Sequence, residues 1–316
     1  LGDVYKRQLN IMQNNIIDQQ LLENKLAESA IYDMQEASIR DVVKVANLLE
    51  KASGYPFIRM EMGVPGLSPS RIGTEAEIEA LKLGVAQFYP MLEGHPSLSE
   101  EAARFIQNFM DIRIQPAHII PTVGAMQASY TAFMALTECQ EGKNTVLFID
   151  PGFSVQKTQL EVIGKPYETF DIFEFRGKKL RAKLEEYLKK GNICAIVYSN
   201  PNNPAWICLN EEELQIIGEL ANQYDIIILE DLAYFAMDFR KDLSHPGVPP
   251  FQPTVAKYTD NYILMISSSK LFSYAGQRLG LLCVSDTLYP KKYPHLKVRY
   301  KSEELGYTLV SVSYTH

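Results

Sequence analysis

Apolar positions along this chain follow two different periods, and the change from one to the other divides it. Over residues 9–53 the composition is polar and helix-prone, and Ile39, Val42, Val43, Val45, Ala46, Leu48 and Leu49 are spaced like one apolar helical face. Gly54-Tyr55-Pro56 is expected to end that helix. Gly63, Pro65, Gly66, Pro69 and Gly73 then make residues 58–73 read as loop. Thr74-x-x-Glu77 and Ser97-x-x-Glu100 have the form of capping boxes and predict helices near 75–87 and 98–110. From residue 119 on, short β-branched runs alternate with amphipathic segments. The runs are Ile119-Ile120, Val146 to Ile149, Ile193 to Tyr198, Ile226 to Leu229, Tyr262 to Ile266 and Leu281 to Val284, with helices predicted over 125–136, 153–163 and 211–223. Runs apolar on both faces and separated by helices predict an α/β fold, a mostly parallel sheet covered by helices on both sides. In such sheets ligands sit beyond the carboxyl ends of the strands, so the chemistry is sought there.

Composition narrows the class of protein without naming a function. The chain has 316 residues, 46% of them apolar, and 31 Lys+Arg against 38 Asp+Glu leave a formal charge of −7. That length can hold a large α/β domain and a smaller companion. An acidic balance with basic runs no longer than pairs argues against a nucleic-acid partner. The most apolar stretch, Ile226 to Met237, is cut by Glu230 and Asp231 and falls short of the roughly 20 residues that span a bilayer, so no membrane segment is expected. Cys139, Cys194, Cys208 and Cys283 form no C-x-x-C pair and read as buried free thiols in a reducing, cytoplasmic setting. Leu1 to Gln8 and Val310 to His316 resemble translated adapter sequence and are set aside from the fold, so the natural chain is expected to continue beyond about residue 309.

Four constellations fall at strand ends. Ser199-Asn200-Pro201-Asn202-Asn203-Pro204 follows one run and would aim an amide from a rigid turn, although an ordinary Asn/Pro loop reads the same way. Glu230-Asp231-Leu232-Ala233-Tyr234 places a carboxylate at the end of a buried strand, where it needs a cationic or hydrogen-bonding partner, unless it only caps a helix. Ser267-Ser268-Ser269-Lys270 and Gly276-Gln277-Arg278-Leu279-Gly280 gather hydroxyls, an amine and a guanidinium within twelve residues, an anion site if the lysine is not simply solvated. Gly124-Ala125-Met126-Gln127 opens a helix, whose first N–H groups can hold a phosphate. G-x-G-x-x-G after a strand, a Walker loop, H-E-x-x-H and G-x-S-x-G are all lacking.

Taken in order, the glycine turn, N-x-N-N-P, D-x-x-Y and S-x-S-K followed by R-x-G resemble the class I/II aminotransferases, pyridoxal-5′-phosphate (PLP) enzymes of fold type I, over roughly residues 39–309. The resemblance implies a large three-layer α/β/α PLP-binding domain over 74–288, preceded by an N-terminal arm with part of a small domain over 9–73. It also implies an incomplete C-terminal small domain over 289–309, with tails at 1–8 and 310–316. Lys270 matches the Schiff-base lysine that later moves the substrate proton. Asp231, rather than Glu230, matches the carboxylate under the pyridine nitrogen. Tyr234 and Asn203 match the pair that bonds the ring 3′-oxygen, Asn203 also lying on the substrate side, and Phe153 matches an aromatic stacked on the ring. Ala125, Met126, Ser267, Ser269 and Arg278 match the phosphate site. Tyr89 matches a tyrosine that reaches the neighbouring subunit's phosphate, implying a homodimer with shared active sites. Gly63 matches a glycine loop over the substrate carboxylate, and no metal is implied.

Two departures stand out. The pattern N-P-T-G is replaced by Asn203-Pro204-Ala205-Trp206. The family's arginine for the substrate carboxylate is expected beyond the end of this chain, and Arg299 reads as solvated. The implied activity is transfer of an amino group between an amino acid and a 2-oxo acid. The alternatives on the same fold are a C–S β-lyase, a decarboxylase or a ring-forming lyase like ACC synthase, and the PLP-sensing domain of a transcription regulator.

Overall fold

Seven strands form one sheet in the order β1-β7-β6-β5-β4-β2-β3. The computed structural model describes residues 17–31, 37–64 and 66–315; the tail over 1–8, the helix-prone residues 9–16, Pro65 and His316 lie outside them. Contacts divide the chain between residues 65 and 66.

The first unit contains α1 (Gln19–Ser29) and α2 (Ile39–Ser53). A reciprocal capping box starts α2: the Ser38 hydroxyl accepts from Asp41 N at 3.3 Å while the Asp41 carboxylate accepts from Ser38 N at 2.9 Å. Gly54, with φ +70°, ends it as expected, and the predicted apolar face buries Val45 and Leu49.

The second unit runs through α3 (Arg71–Lys82), α4 (Pro96–Met110), β1 (Ile119–Val123), α5 (Gly124–Leu136), β2 (Thr145–Asp150), α6 (Ser154–Val162), β3 (Tyr167–Asp171), α7 (Lys179–Leu188), β4 (Ile193–Ser199), α8 (Glu211–Tyr224) and β5 (Ile227–Leu232). It continues through β6 (Tyr262–Ser267), the one-turn α9 (Ser268–Leu271), β7 (Leu279–Val284), α10 (Leu296–Tyr300) and α11 (Leu305–Thr315). Successive strand residues face opposite helical layers. On β4, Ile196 and Tyr198 join the core with Ile106 and Met110 of α4, Leu184 of α7 and Ile217 of α8. Ala195 and Val197 join the core with Ala132 and Phe133 of α5 and Leu309 of α11. The expected three-layer α/β sheet is therefore present. β7 is the exception to its parallel order, running antiparallel to both β1 and β6.

Two helix starts differ from expectation. α3 begins at Arg71, and Thr74 lies inside it, its hydroxyl donating to Ser70 O at 2.9 Å; Gly84, with φ +79°, follows soon after the helix ends at Lys82. α4 begins at Pro96, with the His95 ring accepting from Ser97 N at 3.3 Å. Ser/Thr and Glu three residues apart also fit inside a helix, and Pro96 suits a first position that needs no N–H donor. α3 is tied to the larger unit: a Cβ at Gly73 would meet Tyr274 Oη at 3.3 Å, and the Tyr274 hydroxyl donates to Glu77 at 3.5 Å. At the other end Val310 and Val312 are buried, and Gln127 Nε2 donates to Ser313 O at 2.8 Å, so α11 packs as part of this unit. Arg299 is exposed, as expected, and pairs at the surface with Glu138 at 2.8 Å.

Candidate active site

The carboxyl ends of β1, β2, β4, β5 and β6 lie along one edge of the sheet because those strands run the same way. β7 runs oppositely, so its amino end arrives there too: Gly280 is opposite Thr122 and Ser267, and Leu279 is opposite Val123. Arg278, just before β7, is thereby set beside Gly124.

An anion cradle lies at that junction. Gly124 opens α5 with φ +71°, and the N-cap residue Val123 makes no side-chain cap, so the first N–H groups of the helix, including those of Ala125 and Met126, have no intrahelical acceptors. A Cβ on Gly280 would come 2.5 Å from the Gly124 carbonyl carbon, and one on Gly124 would come 3.0 Å from Arg278 Cζ. Arg278 Nη1 donates to Ala275 O at 2.8 Å and to Ser269 Oγ at 3.4 Å, and Ser267 Oγ accepts from Ser269 N at 3.2 Å. Helix N–H groups, two hydroxyls and a guanidinium thus meet in one place, a donor set suited to a phosphate group.

Lys270 follows on α9, half-buried, with Nζ 6.0 Å from the Tyr234 ring centroid. Burial, and then the charge of Arg278, hold its pKa below the usual lysine value. On β5, Asp231 is 5% exposed; its Oδ1 accepts from Ala233 N at 3.0 Å and its Oδ2 from Gln156 Nε2 at 2.8 Å. Burial outweighs those bonds and raises its pKa to about 6. Burial and then the charge of Asp231 raise the Tyr234 phenol as well. Phe153 is half-buried where α6 begins, one turn before Gln156.

The asparagine turn after β4 divides its labour. Asn202, buried, donates through Nδ2 to Pro151 O at 2.6 Å and accepts from Ala205 N at 3.0 Å, while Asn203, half-buried, donates its N–H to Ser199 Oγ at 3.2 Å. Asn202 and Gln156 were missed from sequence. Asn202 shares its motif with Asn203, and nothing in the spacing distinguishes the scaffold amide from its neighbour; Gln156 has no sequence signal beyond its place one turn after Phe153. Tyr89 is 93% exposed on the same unit, and no hydrogen bond among the described residues joins it to this cluster. Gly63 belongs to the unit ending at residue 65.

Fold and site together define an α/β domain whose strand ends carry an amine, a buried carboxylate and an anion cradle. The chain belongs to the aminotransferase class I and II family, whose pattern matches residues 58–301 and whose enzymes use PLP. It is 29% identical over 245 residues to an aspartate aminotransferase of Pyrococcus horikoshii, covering 76% of this chain and 59% of that one. It is 26% identical to a probable aspartate aminotransferase of Methanocaldococcus jannaschii, covering 83% and 64%. The chain thus spans about three-fifths of the length of these relatives. Among solved structures, its fold is similar to that of an alanine aminotransferase from Pyrococcus furiosus, with a TM-score of 0.68, 23% identity, and 90% of this chain and 71% of the other covered. An aminotransferase from Mycobacterium tuberculosis matches with a TM-score of 0.67 at 20% identity, covering 88% and 68%.

Proposed function

We propose that this chain carries the PLP-binding part of an aminotransferase that moves an amino group between an amino acid and a 2-oxo acid. The observation that carries the reading is geometric: a half-buried lysine with Nζ 6.0 Å from the Tyr234 ring, a buried carboxylate held by Gln156 and Ala233, and the cradle of Gly124, Ser267, Ser269 and Arg278 all stand at neighbouring strand ends. The residues fit the cofactor. A buried carboxylate that only neutral N–H donors bond is suited to a protonated ring nitrogen, and the cradle at Gly124 and Arg278 is suited to a phosphate.

PLP, when bound, supplies an aldehyde that condenses with primary amines and a ring that draws electrons from the adjacent carbon. The chain's own groups do the rest. Lys270, with a larger neutral fraction than a solvated lysine, acts as nucleophile and then carries a proton on and off the substrate carbon. Asp231 would keep the ring nitrogen protonated, Tyr234 and Asn203 would hydrogen-bond the ring oxygen, and Phe153 would pack on the ring. Ala125, Met126, Ser267, Ser269 and Arg278 would hold the phosphate.

The same reading includes a homodimer in the cytoplasm. Ile72, Leu83, Phe88, Tyr89 and Met91 are large apolar side chains more than half exposed within one short stretch, which supports a partner surface there, with Tyr89 reaching the partner's phosphate. Three of the four free cysteines are buried, and among the described residues no helix is long and apolar enough to cross a membrane.

Borohydride reduction with PLP, digestion and mass mapping test the reading. A phosphopyridoxyl group confined to Lys270 and lost in Lys270→Ala is expected; scattered labelling of surface lysines in folded protein would refute it.

A further inference from the structure

The turn after β4 ends in the chain's single tryptophan, Trp206, and that side chain packs against Tyr234 at the rim of the Lys270 site. Trp206 holds a left-handed backbone, φ +56°, a conformation that bulky residues avoid unless their surroundings impose it. The surroundings do impose it. Trp206 N donates to Asn202 O at 3.0 Å, Asn202 N donates to Ile207 O at 2.8 Å, and the buried Asn202 side chain anchors the turn to Pro151. The indole therefore stands where it does at a conformational cost, while remaining 45% exposed.

Its ring meets the site on one side and solvent on the other. The indole packs edge-on against Tyr234, with centroids 5.4 Å apart and planes at 80°, and Tyr234 in turn lies 6.0 Å from Lys270 Nζ. On its outer side it stacks on Phe239, with centroids 6.2 Å apart and planes at 25°. Phe239 is 80% exposed, yet its neighbours fix it: Asp238 is buried and holds Arg240 by two bonds of 2.7 and 2.8 Å. That pairing also engages the guanidinium of Arg240, next to Phe239 in the chain, so this residue is already matched to a carboxylate and not offered to an acidic side chain.

Resting on the reading of Lys270 as the reactive amine, we propose that Trp206 and Phe239 form a wall against which the substrate side chain packs, and that they select a large apolar, preferentially aromatic, amino acid over an acidic one. An aromatic ring on such a wall gains offset or edge-on contact beyond its buried area, and an aspartate carboxylate would lose water there without gaining a partner.

The test uses the PLP-loaded protein, titrated with phenylalanine and with aspartate while the cofactor's absorption band is followed. Half-saturation by phenylalanine is expected at a concentration about tenfold below that for aspartate. Trp206→Gly suits the left-handed backbone and so preserves the fold; it is expected to weaken phenylalanine about five- to tenfold and leave aspartate unchanged, and Trp206→Phe to restore most of the difference. Phe239→Ala should move the ratio the same way by a smaller factor. Tighter aspartate binding in the parent protein, or an equal shift for both amino acids in Trp206→Gly, overturns the wall while leaving the Lys270 reading intact. Failure to form a Lys270-dependent band removes that reading, and the wall with it.

Discussion

Gln156 and Asp231 are joined through a 2.8 Å hydrogen bond between two buried side chains, with the amide of one donating to the carboxylate of the other. The donor is neutral. It steadies the ionised form of Asp231 but does not cancel its charge, so burial still governs and the pKa stays near 6. The carboxylate is positioned and left short of positive charge, which is the state a cationic ring nitrogen can use.

Gln156→Leu should therefore cost more than a packing change. It removes one of two donors to a buried carboxylate, and a loss of about 1–3 kcal/mol is expected, together with a further rise in the pKa of Asp231. Urea unfolding at several pH values checks the first. The pH dependence of PLP binding checks the second, and an unchanged profile would show that the bond does not tune Asp231.

Asp231→Asn should stabilise the protein without its cofactor. Because the folded pKa is raised from 3.8 to about 6, the stability associated with the protonated carboxyl is complete below pH 3.8 and is lost as pH climbs to about 6, a change of about 3 kcal/mol. The variant should match the parent near pH 4, exceed it at pH 7, and bind PLP poorly. A parent that is equally stable to the variant at pH 7 would contradict the burial argument.

Glu230, adjacent in sequence but on the other face of the sheet, is fully buried. Its Oε2 accepts from Val255 N at 3.2 Å and from the Thr254 hydroxyl at 2.5 Å, and burial raises its pKa to about 7. Its contribution is complete below pH 4.5 and falls away by about pH 7, again by about 3 kcal/mol. Glu230→Gln should flatten that slope without altering PLP binding. Melting temperatures of both proteins between pH 5 and 8 provide the comparison.

Gly280→Ala should disturb the cradle through the backbone. Its new Cβ would sit 2.5 Å from the Gly124 carbonyl carbon and 2.8 Å from Ala125 N, with no flexible side chain to move aside. A destabilisation of about 1–3 kcal/mol and a loss of PLP affinity are expected together. Retained affinity at parental stability would mean that β7 and α5 can separate freely.

The proposed dimer surface can be tested by charge. Leu83→Asp with Phe88→Asp places two carboxylates among exposed apolar side chains and should convert a sedimenting dimer to monomer while leaving the far-ultraviolet spectrum unchanged. A parent chain that sediments only as monomer would refute the surface.

Local chemistry made much of this protein legible. Short β-branched runs such as Ile193 to Tyr198 read as strands buried on both faces, and where such strands are parallel the groups that follow them lie at one common edge. β3, however, is an edge strand whose sequence, Tyr-Glu-Thr-Phe-Asp, buries only Phe170, so it carries almost no hydrophobic signature and was passed over. α7 was missed as well, although Leu180, Leu184 and Leu188 bury its inner side, because Lys and Glu dominate the rest of its sequence.

What the sequence by itself determined was the class of fold and the residue types at the strand ends, since periodicity and turn chemistry act within a few residues. Only the tertiary structure decided how those groups combine. The reversal of β7 brings Arg278 to the mouth of α5, Gln156 reaches Asp231 from 75 positions away, and Trp206 lands between Tyr234 and Phe239. Such pairings depend on strand order and close packing, which no local pattern encodes.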